Sequence, residues 1–122
     1  MKLHLAHNAD LQLFSGYGAG FVAVNSVRYE KSVVVSPHAV SEWEVSGFEA
    51  LTAAHFGFIE ALKPEIVILG TGAAQRFPRP ELLHALAATG VGVEVMDSRA
   101  ACRTYNILAT EGRKVVAAIL SA

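Results

Sequence analysis

The sequence predicts an α/β fold: a meander of short antiparallel strands over its first third, then strands alternating with helices. Three observations carry this. Short β-branched and aromatic segments, broken by Gly, Asn-Ser and Ser-Pro, fill residues 11–45. The continuous apolar run Ile66-Val67-Ile68-Leu69 has the pattern of a strand buried on both faces. Helical periodicity with N-cap residues and Gly stops separates that run from the later strands. Such alternation implies a mainly parallel sheet with right-handed crossovers, which the meander either extends or covers on one face.

In chain order, Leu11 and Leu13, then Phe21-Val22-Ala23-Val24, flank the segment Gly16-Tyr17-Gly18-Ala19-Gly20, read as a flexible turn or bulge. Asn25-Ser26 is a turn signal before Val27-Arg28-Tyr29. Ser32-Val33-Val34-Val35 is a strand stopped by Ser36-Pro37, and Trp43-Glu44-Val45 alternates as a further short strand. Thr52 caps a helix over Ala53 to Leu62, with Phe56, Ile59 and Leu62 at helical spacing, ended by Lys63-Pro64. The strand Ile66–Leu69 follows. Pro80 opens a helix over Glu81 to Ala88, with Leu82, Leu83 and Leu86 inward and Gly90 as its stop. Val91 to Val95 is a strand. Asp97 or Ser98 caps a third helix to about Ala109, Gly112 ends it, and Lys114 to Leu120 is the last strand.

The chain has 122 residues, the length of one domain, read as 1–122. Ten Lys/Arg against eleven Asp/Glu argue against a nucleic-acid binder, which usually carries a strong basic excess. With 52% hydrophobic and 17% charged residues, disorder is excluded. The single cysteine, Cys102, leaves no internal disulfide and no four-cysteine zinc site. The amino-terminal segment has no signal-peptide apolar core, and no run approaches the ~20 residues of a membrane span. The expectation is a cytoplasmic protein. Charge is uneven: residues 1–70 carry four Lys/Arg and seven Asp/Glu, residues 71–122 six and four. Five of the latter six cations are arginines, suited to planar anions and interfaces.

Gly70-Thr71-Gly72-Ala73-Ala74-Gln75 after a buried strand, with Asp97 after the next, imitates a dinucleotide fingerprint. Gln75 stands where Gly or Ala is required, and Phe77-Pro78-Arg79-Pro80 separates the turn from the helix, so no cofactor is assigned. On the third helix, Ala101, Cys102, Tyr105, Leu108 and Ala109 form the core face, while Arg99, Arg103 and Asn106 share another. Cys102 on the core face reads as a packing residue rather than a nucleophile. Ligands in open parallel sheets sit beyond the carboxyl ends of the strands. Thr71, Asp97, Arg99, Arg103 and Asn106 are therefore candidates for one crevice, with Arg103 able to hold a carboxylate or phosphate bidentately. Against this stands the plain reading: a cap and solvated helix charges. His4, His7, His38, His55 and His84 show no metal-ligand spacing, and no metal is assigned. No nucleophile elbow or catalytic triad order occurs, so no catalytic residue is named. Phe77, between Arg76 and Pro78, is a candidate partner anchor, with Arg79 beside it; a side chain folded back on the core is the plain alternative.

Ile68-Leu69-Gly70-Thr71-Gly72, Gly92-Val93-Glu94-Val95-Met96-Asp97, Ala100-Ala101-Cys102-Arg103-Thr104-Tyr105-Asn106 and Glu111-Gly112-Arg113, with Trp43, resemble the uncharacterised domain family that includes the mitochondrial respiratory complex I assembly factor 3. The resemblance covers nearly the whole chain and is to a short bacterial-type member, without an organelle-targeting extension. It implies a single three-layer domain: a mixed central sheet, helices on one side and the β meander on the other. It implies protein partners rather than a reaction, since no established reaction attaches to the family.

Two functions follow as expectations. The first is a non-catalytic protein-interaction or assembly-factor-like domain, using Arg76, Phe77, Arg79, Arg99 and Arg103. The second is a small-molecule or anion-binding domain, enzymatic or not, using Thr71, Asp97 and Arg103. The absence of a complete catalytic constellation favours the first. Strand pairing through Val115–Leu120 allows a homodimer without requiring one.

Overall fold

The computed structural model describes residues 10–121. The readings of His4, His7 and the amino-terminal segment lie outside them. Eight strands and three helices follow in order: β1 (Phe14–Gly18), β2 (Phe21–Val24), β3 (Val27–Tyr29), β4 (Val33–Ser36), β5 (Ala39–Glu42), α1 (Ala53–Glu60), β6 (Ile66–Gly70), α2 (His84–Ala88), β7 (Gly92–Met96), α3 (Ser98–Thr110) and β8 (Val115–Ile119). Single 3₁₀ turns cover Phe48–Ala50 and Pro80–Leu83.

The strands form two sheets. One is the antiparallel set β1-β2-β3; the other is five-stranded, in the order β5-β4-β8-β6-β7. Within the larger sheet β6 runs parallel to both β7 and β8, while β4 runs antiparallel to β8 and β5. The meander thus does both things open to it: β1–β3 form a separate sheet, and β4–β5 extend the central one. Asn25 and Ser26, at φ 47° and 71°, make the tight β2–β3 turn, whose handedness matches the strand twist. The glycine-rich segment is mostly strand, with a register break between Phe14 and Gly16 and its turn at Ala19-Gly20.

Two apolar clusters occupy the two faces of the central sheet. Val34, Val67, Leu69, Val116 and Ala118 face Trp43, Leu51, Phe56 and Ile59 and Leu86 of α1 and α2. Val33, Val35, Ile68, Val115, Ala117 and Ile119 face Phe14, Val22 and Val24 of the small sheet and Ala101, Cys102, Tyr105 and Ala109 of α3. The fold class is the expected one, with one correction to its layers: α3 shares a face with the small sheet instead of joining α1 and α2. Chain direction explains this. The β6–α2–β7 crossover steps one way along the sheet, and β7–α3–β8 steps back across β6. Right-handed crossovers running in opposite directions place their helices on opposite faces.

Three further expectations are corrected. The strand expected at Trp43–Val45 is Ala39–Glu42, because the two-residue turn at Pro37-His38 pairs Ser36 with Ala39 and sets the register. Leu62 is 43% exposed, since α1 ends at Glu60 and its apolar face ends with Ile59. Val115–Ile119 is the central strand, hydrogen-bonded on both sides, and offers no edge for a dimer.

Candidate functional site

The carboxyl ends of β6 and β7 lead to opposite faces of the sheet, the place where open sheets hold ligands. Here the chain's own groups fill it. Thr71 is buried; its N–H donates to the Met96 carbonyl (2.9 Å), and its Oγ1 donates to the Ala74 carbonyl (2.7 Å) while accepting the Arg76 N–H (3.0 Å). The Gly72 N–H donates to Ser98 Oγ (2.9 Å), which in turn donates to the Leu120 carbonyl (2.8 Å). Ser98 N–H returns to the Gly72 carbonyl, and Asp97 Oδ1 accepts the Ala100 N–H (3.0 Å) as the N-cap of α3. A pyrophosphate would need such donors free. Gly70 has its own reason to be glycine: a Cβ would lie 2.9 Å from Ser98 Oγ and 3.0 Å from both Ala101 Cβ and Ile119 Cδ1. Ser98, named from the sequence only as an alternative cap of the third helix, is instead buried and bridges three segments, while Asp97 is the cap.

Arg76, Phe77 and Arg79 lie together in the loop before Pro80. The Arg76 guanidinium sits 4.1 Å above the Phe48 ring and donates through both terminal nitrogens to the Glu49 carboxylate, one contact at 3.3 Å. That hydrogen bond holds the Glu49 carboxyl below its ordinary value. Phe77 is 72% exposed, the most exposed of the large apolar side chains described. Phe77, Pro78, Arg79 and Leu82 surround a depression of about 220 Å³ with Phe48 and Leu51. The proline on either side of Arg79 stiffens the loop.

Arg99, Arg103 and Asn106 share one side of α3 and turn to β1. Arg103 Nη1 donates to the Tyr17 hydroxyl (2.9 Å), and the Arg99 guanidinium lies 5.7 Å from the same ring centre. Asn106 bonds the Phe14 backbone through both ends of its amide. Beneath them, burial pushes the Cys102 thiol up to about 12 and raises Tyr105, whose hydroxyl donates to the Gln12 carbonyl (2.8 Å). The eight candidates therefore fall into three groups: Thr71 and Asp97 in the turn, Arg76, Phe77 and Arg79 by Phe48 on the α1–α2 side, and Arg99, Arg103 and Asn106 by β1 on the other. Among the described residues no three His, Cys, Asp or Glu come together as a metal site.

A mixed five-stranded sheet with a small antiparallel sheet and α3 on one face and α1 and α2 on the other defines this class of α/β domain. The same fold occurs in the crystal structure of a protein from Bordetella parapertussis, 41% identical, with a TM-score of 0.87 over 92% of this chain and 97% of that one. The chain belongs to the family described as a protein of unknown function (DUF498/DUF598), whose model matches residues 14–120. One relative is the 13 kDa major membrane protein of Francisella tularensis subsp. holarctica, 32% identical over 88% of this chain and 89% of that protein. Another is the bovine NADH dehydrogenase (ubiquinone) 1 alpha subcomplex assembly factor 3, 37% identical over 83% of this chain. The chain spans 55% of the length of that assembly factor. No helix among the described residues is long and apolar enough to cross a membrane.

Proposed function

We propose that this chain is a non-catalytic, assembly-factor-like domain, one unit over residues 1–122, that docks on a protein partner in the cytoplasm through the Arg76–Arg79 loop. The observation that carries the reading is Phe77: a large aromatic side chain, 72% exposed, on a loop stiffened by two prolines and anchored by Arg76 on Phe48 and Glu49. An aromatic ring flanked by arginines has the composition of an interface hot spot. The name of the bovine relative, an assembly factor of NADH dehydrogenase, supports a partner of protein rather than metabolite type. No cofactor, metal or nucleic acid is needed for such docking. Arg99 and Arg103 form a separate basic patch beside Tyr17, and a contribution from them is tested in the same way.

The test is affinity capture of the tagged chain from extract of its own cells, with Phe77→Ala and Arg103→Glu as variants of matched thermal midpoint. A stoichiometric partner lost with Phe77→Ala supports the reading. A partner retained by Phe77→Ala and lost with Arg103→Glu moves the surface to α3. Capture that survives both changes overturns the placement.

A further inference from the structure

A groove of about 390 Å³ opens at the amino ends of β6 and β8, the opposite end of the sheet from the Gly70–Gly72 turn. It shares no lining residue with the depression around Phe77. Its accessible apolar surface is Leu62, 43% exposed, and the half-buried Pro37, backed by the buried Pro64, Ala109 and Val115. Its rim is cationic, with Lys63, Arg113 and Lys114. Arg113 Nε donates to Glu65 Oε1 at 2.8 Å, so those two charges offset each other. The Lys63 ammonium makes no hydrogen bond or ion pair among the described residues, whereas the Lys114 charge acts on the same Glu65 carboxylate that Arg113 holds.

Lys63 adds a second observation. Its φ is 55°, in the left-handed region that favours glycine, two residues past the Ala61 cap of α1. Pro64 follows and restricts that backbone further. A side chain held in this region costs stability that glycine would not, and an observed outlier of this kind is a reason to look for a role at that position. What the lysine supplies there, and glycine would not, is a cation at the edge of an apolar groove.

We propose that this groove binds a small amphipathic carboxylate, its aliphatic body on Leu62 and Pro37 and its head between Lys63 and Lys114. Each property of the groove selects part of that ligand. A purely polar anion leaves the exposed Leu62 side chain uncovered, and an aliphatic cation meets three rim cations set against the one Glu65 carboxylate. The volume is within the range of small-molecule sites and takes a short aliphatic chain.

The experiment is a titration of the ¹⁵N-labelled chain with octanoate, followed by backbone amide shifts, with octylamine and acetate as matched probes. Octanoate is expected to give saturable shifts at Leu62, Lys63, Lys114, Val115 and Val116. Octylamine and acetate are expected to bind at least tenfold more weakly at those positions. Lys63→Gly, which relieves the backbone, is expected to fold and to weaken octanoate about tenfold. Leu62→Asp, at an exposed position, is expected to abolish it. Equal affinity for octanoate and octylamine, shifts centred elsewhere, no saturable octanoate binding, or unchanged affinity in folded Lys63→Gly each overturn the proposal.

Discussion

Asn106 grips Phe14 across 92 positions of sequence: its Oδ1 accepts the Phe14 N–H at 2.9 Å, and its Nδ2 donates to the Phe14 carbonyl at 2.8 Å. One amide thereby supplies both halves of a backbone ladder step and joins α3 to the small sheet. The Phe14 ring meets Tyr105 edge-on at 5.4 Å beside it. Asn106→Ala leaves a part-buried N–H and C=O without partners, at a cost of about 1–3 kcal/mol. The expected outcome is a thermal midpoint lowered by several degrees, read by calorimetry, together with faster amide exchange over Phe14–Gly18. Unchanged exchange in β1 would remove the clamp from the account.

Gly70→Ala tests what the Gly-Thr-Gly turn is for. The added methyl group meets Ser98, Ala101 and Ile119 at 3.0 Å or less, and two of these sit on elements packed against each other. Such overpacking costs about 1–3 kcal/mol. The chain should lose stability by chemical denaturation while keeping its far-ultraviolet spectrum. A neutral substitution would show that α3 can move away from β6.

Cys102 should be unreactive in the folded protein. Burial raises its thiol from 9.0 to about 12, with Asp97 adding to the rise and Arg103 opposing it. The thiolate fraction at pH 8 falls steeply with such a rise, and the side chain is also shielded from reagents. Alkylation by iodoacetamide at pH 8 should run at least about 100-fold slower in native protein than in denaturant, given the tenfold change in thiolate per pKa unit. Rapid native labelling would mean that α3 lifts from the sheet.

The Arg113–Glu65 pair gives a dependence on pH. The hydrogen bond from Arg113 is the main reason the Glu65 carboxyl titrates below its ordinary value of 4.5, with the Lys114 N–H second. A lowered folded-state value means that its stabilisation is complete above the ordinary value and disappears as pH falls through the lowered one. Thermal midpoints of the parent and Glu65→Gln should therefore differ slightly near neutrality and converge as the solution is acidified below that range. The pair is exposed, so added salt should shrink the difference as well.

How much of this was legible in the sequence depends on how local the signal is. Helix α3 is marked by residues a few positions apart: Asp97 as its cap, Ala101, Cys102, Tyr105 and Ala109 on its inner face, and Gly112 at φ 85° after its end. Asn25-Ser26 marks its turn equally well. Trp43 misled because its alternation with Val45 imitates a strand, whereas the register is set by the Pro37-His38 turn. The candidate site was legible as residue types and not as groupings. Arg103 was read for an anion, and its partner is Tyr17, 86 positions earlier. Asn106 was read for a ligand, and its ligand is the backbone of β1. No spacing within α3 carries information about a strand so far away. The reversal of the crossover across β6, which separates α3 from the other helices, is a property of strand order and is equally invisible to periodicity.

The central position of β8 has a kinetic consequence. It is the last of the eight described strands in chain order, yet it lies between β4 and β6 and bonds to both. Until it emerges from the ribosome, the β4–β5 hairpin and the β6–β7 pair have no strand to join them, and each exposes an apolar edge. The larger sheet must then close in one late step through pairings of long sequence separation, which fold slowly. Up to that step the nascent chain is a pair of unfinished half-sheets, open to wrong pairing with its neighbours on the same message.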